Sequence, residues 1–395
     1  MKILFLCHRF PYPPNRGGRI RAFNILRQLG RAHEITLATL LRADTDDADV
    51  AALDRFTARR VLLRTNEASS WLRMLANVPT ATPSSFAYFH SRRFARAIAR
   101  ELSRPYDVVI VHSSSMAPYV AEARAAKVLD FADMDSQKWL AYSRHKPPPV
   151  ALGYRLEARK LQRVEAQLAR RFDLCTCTTR AEIDTLRGYG TAHRTESFVN
   201  GVDAEYFRPS PAPYDPNAIC FLGHMDYYPN QDAVQWFCDR VFGELRARRP
   251  GVTLSIVGAA PSRAVRRLAE RPGIRVTGSV PDVRPHAQRA ALSVAPLRIA
   301  RGTQNKILES LAMGVPVVAS ALAARGTQAV PGEHLLTATT PAEFVAAITR
   351  VLDDPHERQR LSLAGRARML SHHDWAASIR QLDDWIHECV AERRR

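Results

Sequence analysis

Residues 295–318 read APLRIARGTQNKILESLAMGVPVV, and their pattern sets the fold class of the whole chain. The apolar run 292–295 is short enough for a strand, and Pro296 ends it. The loop that follows carries Arg298, Arg301 and Gly302 and no acid. From Asn305 to Met313, Ile307, Leu308, Leu311 and Ala312 fall on one helical face, with Lys306, Glu309 and Met313 opposite. Gly314 sits where a helix end calls for a left-handed residue, and the β-branched run 315–319 reads as a second buried strand. Strand, loop, helix and strand in this order make one unit of a parallel α/β sheet.

The same stretch suggests chemistry. A helix N-terminus offers unpaired N–H groups and partial positive charge, so Gly302, Thr303, Gln304 and Asn305 suit a phosphate by backbone approach. Lys306 adds a full charge in the first turn, and Glu309 lies one turn deeper near the same face. A nucleoside diphosphate fits, its phosphates at the helix end and its ribose hydroxyls donating to the carboxylate. A plain βαβ crossover with a solvated polar face fits the same spacing.

Residues 296–318 resemble the nucleotide-sugar segment of glycosyltransferase family 4 (group 1), retaining enzymes of the GT-B fold. ARGTQNKILE, together with FLGHMDYYPN at 221–230 and VTGSVPDVRP at 276–285, resembles more narrowly the subgroup associated with the exosortase (PEP-CTERM) system. The likeness covers essentially the whole chain and is loosest between residues 42 and 104. It implies two Rossmann-like, doubly wound parallel-sheet domains facing across a cleft. The expected division is 1–207 for an acceptor-side domain, completed by a C-terminal helix 374–395, and 208–373 for the nucleotide-sugar domain.

Composition is that of an ordinary globular protein except for charge: 57 Lys and Arg against 39 Asp and Glu give +18. Such an excess predicts an anionic partner, namely nucleotide, lipid-linked diphosphate or anionic membrane surface. The arginines are scattered and form no nucleic-acid signature, so no nucleic-acid partner is expected. The six cysteines show neither zinc nor dithiol spacing and suggest a reducing compartment. The opening MKILFLCHRF has five successive apolar residues, too few for a signal peptide. The expected location is cytoplasmic, with peripheral attachment to the inner face of the plasma membrane.

Strands are expected at 2–7, 34–40, 60–63, 108–111, 127–130 and 174–178, then at 253–257, 274–277 and near 335–337. Helices between them argue a doubly wound sheet. The loop after the first strand leads to Gly17 and Gly18, too few glycines for a dinucleotide fingerprint. The family resemblance places that loop beside the donor diphosphate and the transferred sugar. It also places a histidine, here His112, at a strand end near that sugar. Residues 221–224 (FLGH) echo residues 5–8 (FLCH), so the second half restarts as the first did. Gly223, His224, Gly258 and the loop around Val280 join the expected donor site, the last holding the base. Asp133 and Asp135 follow the 127–130 strand and are candidates for acceptor hydroxyls. Two basic amphipathic stretches, 69–76 with Trp71, Leu72 and Leu75 and 91–104 with Phe94, Ile98 and Leu102, suit either a membrane or the protein's own core.

The resulting expectation is a retaining, metal-independent, hexosyl-type glycosyltransferase without a cofactor. It would move sugar from a nucleoside-diphosphate sugar to a lipid-linked or growing glycan in exopolysaccharide synthesis. Fixed positive charge on the leaving diphosphate matters most, a task given to Lys306 with Arg298 or Arg301. Catalytic candidates are His112, Lys306 and Arg301. Two departures from the family stand out. Arg301 replaces a glutamate usually found eight residues before Glu309, and 224–230 lacks the usual arginine and lysine. A catalytically silent nucleotide-binding or scaffold protein and a GT-B sugar-nucleotide epimerase are the alternatives.

Overall fold

A computed structural model describes residues 1–43, 45–190 and 194–395. The chain divides into two compact units, Met1–Val199 with Ala376–Arg395, and Asn200–Trp375. The expected join at 207/208 is therefore eight residues late. The proline-rich segment 209–216 lies within the second unit and runs directly into that unit's first strand.

In the first unit seven strands lie parallel: β1 (Lys2–Cys7), β2 (Glu34–Leu41), β3 (Arg59–Arg64), β4 (Val108–His112), β5 (Ala126–Ala132), β6 (Leu174–Cys177) and β7 (Arg194–Ser197). Their order is β3-β2-β1-β4-β5-β6-β7. Both central strands are buried along nearly their whole length, which explains continuous apolar runs such as VVIVH in place of alternation. Strand β7 escaped the sequence reading because RTES has neither apolar character nor period. It is a sheet edge, where pairing with β6 alone defines it.

The second unit repeats the plan with six parallel strands: β8 (Asp215–Leu222), β9 (Thr253–Val257), β10 (Ile274–Gly278), β11 (Ala290–Ala295), β12 (Val317–Ser320) and β13 (Leu336–Ala338). Their order, β10-β9-β8-β11-β12-β13, is that of β3-β2-β1-β4-β5-β6. Each sheet thus reverses direction once, between β1 and β4 or between β8 and β11. In open parallel sheets that reversal leaves a ligand-binding crevice at the strands' carboxyl ends.

The terminal helix Trp375–Arg394 is held to the first unit by specific pairs. His33 Nε2 lies 2.8 Å from Asp383, and Arg393 pairs with Asp173 at 3.0 Å. Its stripe of Ile379, Leu382 and Ile386 is buried. Helix Pro148–Ala169 starts earlier than its apolar period suggests, with prolines in its first turn where no N–H partner is lost. The two amphipathic stretches have opposite outcomes. Phe94 and Ile98 on helix Arg92–Glu101 are wholly buried in the core. Trp71, Leu72 and Leu75 on helix Glu67–Ala76 are exposed.

Helix Pro148–Ala169 also carries a buried carboxyl. Glu165 accepts from the Ser136 N–H at 3.0 Å and from the Ser136 hydroxyl. Burial is the larger effect and pushes its pKa from 4.5 up to about 7. The folded state then holds a proton that the unfolded chain has lost, so stability falls as pH rises from 4.5 through 7. Urea unfolding should show the wild type losing about 3 kcal/mol between pH 4.5 and 7.5 relative to Glu165→Gln. Parallel pH profiles for the two proteins would refute this linkage.

Candidate functional site

At the carboxyl end of β8 the chain turns through Gly223 and His224 into helix Tyr228–Phe237. At the carboxyl end of β11 it runs through the basic loop into helix Asn305–Ala312. These are the two strands flanking the reversal. The second helix has the expected position, with Met313 as C-cap and Gly314 at φ +70°. No side chain caps its start at Gln304, so the first-turn N–H groups have no such competitor for an anion.

Lys306 reaches from this helix across to β8. Its Nζ lies 2.5 Å from Asn230 Oδ1 and 4.3 Å from the centre of the Phe221 ring. A side chain on Gly223 would meet the Asn230 amide at 2.7 Å and Lys306 Nζ at 3.0 Å. Glycine at 223 is therefore what lets the ammonium sit at the strand end. Asn230 is itself held by donating to the His224 carbonyl at 2.8 Å. Glu309, three residues after Lys306, is half-buried, and its carboxylate makes no hydrogen bond or ion pair to a described residue. Burial lowers the Lys306 pKa to about 7 and raises that of Glu309 to about 7, each shift opposed by the other's charge. The site thus holds an ammonium and a carboxylate that are poorly solvated and incompletely satisfied by protein.

Other expected donor residues have different surroundings. Gly258 adopts φ +151°, and a Cβ there would lie 1.8 Å from the Gly223 carbonyl oxygen, so its glycine is explained by backbone packing between the ends of β8 and β9. Arg298, expected to supply charge to the donor, is instead clasped by Asp232 through Nε at 2.9 Å and Nη2 at 2.5 Å. That bidentate pair occupies the guanidinium fork. Gly302 has φ +58°, and the Thr303 hydroxyl is buried without a hydrogen-bond partner among the described residues. Arg301 is half-buried on the same loop and holds Gln304 through its carbonyl. Val280 packs half-buried against the small apolar cluster that includes Cys220 and Leu222.

Asn200 is the first residue of the second unit. Its amide donates to Asn305 Oδ1 at 3.2 Å, tying the unit's first residue to the helix start. His373 stitches the two chain ends of this unit, its ring nitrogens 2.7 Å from the carbonyls of Asn200 and Thr327.

In the first unit His112 ends β4, buried, with Nδ1 2.8 Å from Asp130 Oδ2. Arg21 grips the same carboxylate through Nε and Nη2, both at 2.8 Å, and Thr176 donates at 2.9 Å. Burial alone would raise the Asp130 pKa. The charge and hydrogen bonds of Arg21, aided by those of His112, hold it well below the usual carboxylate range. The ionised Asp130 accepts from His112 Nδ1 and so fixes the orientation of the ring, with Nε2 on its far side. That atom lies 4.0 Å from where a Cβ on Gly18 would be. Gly17 and Gly18 open helix Gly17–Leu29 and are exposed.

Asp130 is thus a buried orienting group. Asp133 accepts from Thr178 at 2.7 Å, with its pKa raised by burial, and Asp135 pairs with Lys138 at 3.3 Å. A pocket beside His8 gathers Arg9, Arg19 and Arg42 around the single acid Glu67. Burial, with the nearby charges of Arg42 and Arg16, lowers the Arg9 pKa. Sequence reasoning missed Arg21, Asn230, Asp232 and this pocket, because their partners are 66 to 109 residues away or on separate strands.

Two sheets of order 3-2-1-4-5-6, each with its polar groups at the reversal, define the GT-B fold. Solved structures agree. Sucrose-phosphate synthase from Thermosynechococcus elongatus superposes with TM-score 0.76 at 16% identity, over 99% of this chain and 100% of that one. HepE from Anabaena, in complex with UDP, gives 0.70 at 16% identity over 98% and 100%. Residues 15–206 match Glycosyltransferase Family 4 and residues 216–354 match Glycosyl transferases group 1. The chain belongs to this glycosyltransferase family. Glycogen synthase of Mycobacterium tuberculosis is 27% identical over 235 residues, 55% of either chain. D-inositol 3-phosphate glycosyltransferase of Thermomonospora curvata is 38% identical over 76 residues, 19% of this chain and 17% of that one. The chain therefore matches at most about half the length of these curated relatives.

The Arg21–Asp130 pair makes a direct prediction. Asp130→Asn takes the counter-charge from a buried guanidinium and should cost about 3–5 kcal/mol of unfolding free energy. Chemical denaturation showing a loss under 1 kcal/mol would mean the pair is not structural.

Proposed function

We propose that this protein is a retaining, metal-independent glycosyltransferase of hexosyl type, moving a sugar from a nucleoside-diphosphate sugar to an acceptor hydroxyl. The observation that carries the reading is Lys306, set at the reversal of the second sheet beside an uncapped helix start, with the unsatisfied Glu309 one turn on. Lys306 and the N–H groups of residues 303–305, meeting the diphosphate oxygens, would neutralise the leaving charge as it develops. Glu309 takes the ribose hydroxyls. Gly302 gives close backbone approach, Arg301 adds charge to the diphosphate, and the segment around Val280 takes the base. His112, held in one orientation by Asp130, and the Gly17–Gly18 turn are assigned to the transferred sugar.

HepE has been crystallised with UDP and with UDP-glucose, which makes UDP-sugars the first donors to try. The arginine pocket beside His8 supports an acceptor that carries phosphate, such as a lipid-linked glycan, with Asp133 and Asp135 available to hydroxyls. The three family-like segments support the exosortase-associated subgroup and a part in exopolysaccharide synthesis. A lipid-linked acceptor would be met at the inner face of the plasma membrane.

Release of free UDP from a panel of UDP-sugars, dependent on added acceptor, tests transfer. Absence of release above background from every donor would favour a silent binding protein, and donor conversion without acceptor an epimerase. Glu309→Ala removes charge-assisted hydrogen bonds and should weaken donor binding by about tenfold to a hundredfold in calorimetry. Unchanged affinity would dismiss the ribose role. Donor affinity should also peak near pH 7. Below that, Glu309 takes up a proton and stops accepting from ribose; above it, Lys306 loses the proton that meets the diphosphate. An affinity flat between pH 6 and 8.5 would contradict both assignments.

A further inference from the structure

Helix Glu67–Ala76 presents Trp71, Leu72 and Leu75 on one side, with Leu72 and Leu75 67% and 60% exposed. Its own arginine, Arg73, is turned inward onto Ser69, Ser70 and the Ala87 carbonyl. Just beyond, Val78 is exposed, and its carbonyl accepts from Lys160 at 2.6 Å. Glu157 accepts from the backbone N–H groups of Ser84 and Ser85, both at 3.0 Å. Those contacts tie helix Pro148–Ala169 to residues 78–85, just after helix Glu67–Ala76, and that helix brings its own exposed side. There Leu152 and Leu156 interleave with Arg155, Arg159 and Arg163, at helical spacings of three and four. The helix's two acids, Glu157 and Glu165, are both committed elsewhere.

The charge pattern around this face is one-sided. No Asp or Glu occurs between Glu67 and Glu101, a run that holds five arginines, nor between Asp135 and Glu157, a run that holds four Lys and Arg. Among the described residues no acid pairs with Arg155, Arg159 or Arg163. Exposed apolar side chains with a tryptophan on one helix, and exposed leucines among unpaired arginines on a second helix tied to the segment that follows it, have the composition of an interfacial membrane contact. No helix of the described residues is long and apolar enough to cross a membrane.

We propose that this face, Trp71, Leu72, Leu75 and Val78 with Leu152 and Leu156, docks the protein on an anionic phospholipid bilayer. The leucines and the indole enter the headgroup boundary while Arg155, Arg159 and Arg163 meet lipid phosphate. A protein partner would need acids to match the arginines and would bury them. A bilayer satisfies the same arginines at its surface and leaves them hydrated. The surface lies wholly in the first unit and does not rest on the sugar-transfer reading.

Flotation of the full chain with phosphatidylglycerol vesicles and with phosphatidylcholine vesicles tests it. Binding is expected to phosphatidylglycerol, to weaken with salt, and to be at least tenfold poorer on phosphatidylcholine. Leu72→Glu with Leu156→Glu should lower partitioning at least tenfold, and Arg159→Gln about fivefold. Leu363→Glu, an exposed leucine of the second unit, should change nothing. Each variant is checked by its thermal melt and its far-UV circular dichroism, which a folded protein retains. Wild type that stays unbound, or L72E/L156E that floats as well as wild type, overturns the proposal. So does a concentration-dependent dimer that dissociates in L72E/L156E while vesicles remain unbound, since the face would then join two copies.

Discussion

A parallel sheet that grows outward in both directions from one central pair cannot cover the carboxyl ends of that pair, because the crossovers leave to opposite faces. The polar groups of the candidate site gather at those ends. In the second unit the pair is β8 and β11, and the groups are Gly223, Asn230, Lys306 and Glu309. In the first it is β1 and β4, and the groups are His8, His112 and the Gly17–Gly18 turn.

The two units treat charge differently at the same topological place. The first unit saturates its buried acid: Asp130 accepts from Arg21, His112 and Thr176, so one orientation of the histidine ring is enforced. The second leaves its ions under-served. Lys306 has one amide oxygen and an aromatic face, and the Glu309 carboxylate has no described partner. A fully satisfied network gives rigidity, whereas an incompletely satisfied one in a poorly solvated place is poised to take a polar ligand. The Arg298–Asp232 clasp sharpens the contrast, since it removes one of the two loop arginines from that role.

Much of this was legible from residue order. The glycine-stopped helix after the basic loop lies where its period put it, and buried strands announced themselves as unbroken Val, Ile and Leu runs. The polar edge strand β7 was silent, because an edge strand is defined by its neighbour and not by its own composition. The division expected after residue 207 lies eight residues past the unit boundary at Asn200, where the Asn200–Asn305 and Asn200–His373 bonds are made. The amphipathic stretches show the same limit. Period alone gave both an apolar stripe, and only packing decided that Phe94 and Ile98 go inside while Leu72 and Leu75 stay out.

Residue order by itself fixed the local elements, their alternation and the place of Lys306 and Glu309 on a short helix, because these depend on periods of two and 3.6 and on where glycine and proline interrupt them. Tertiary structure decided which ionic groups are spent on one another and which are left over. Asp130 with Arg21, and Arg298 with Asp232, meet across scores of intervening residues, and no local pattern carries information about a partner that only the folded sheet brings within 3 Å.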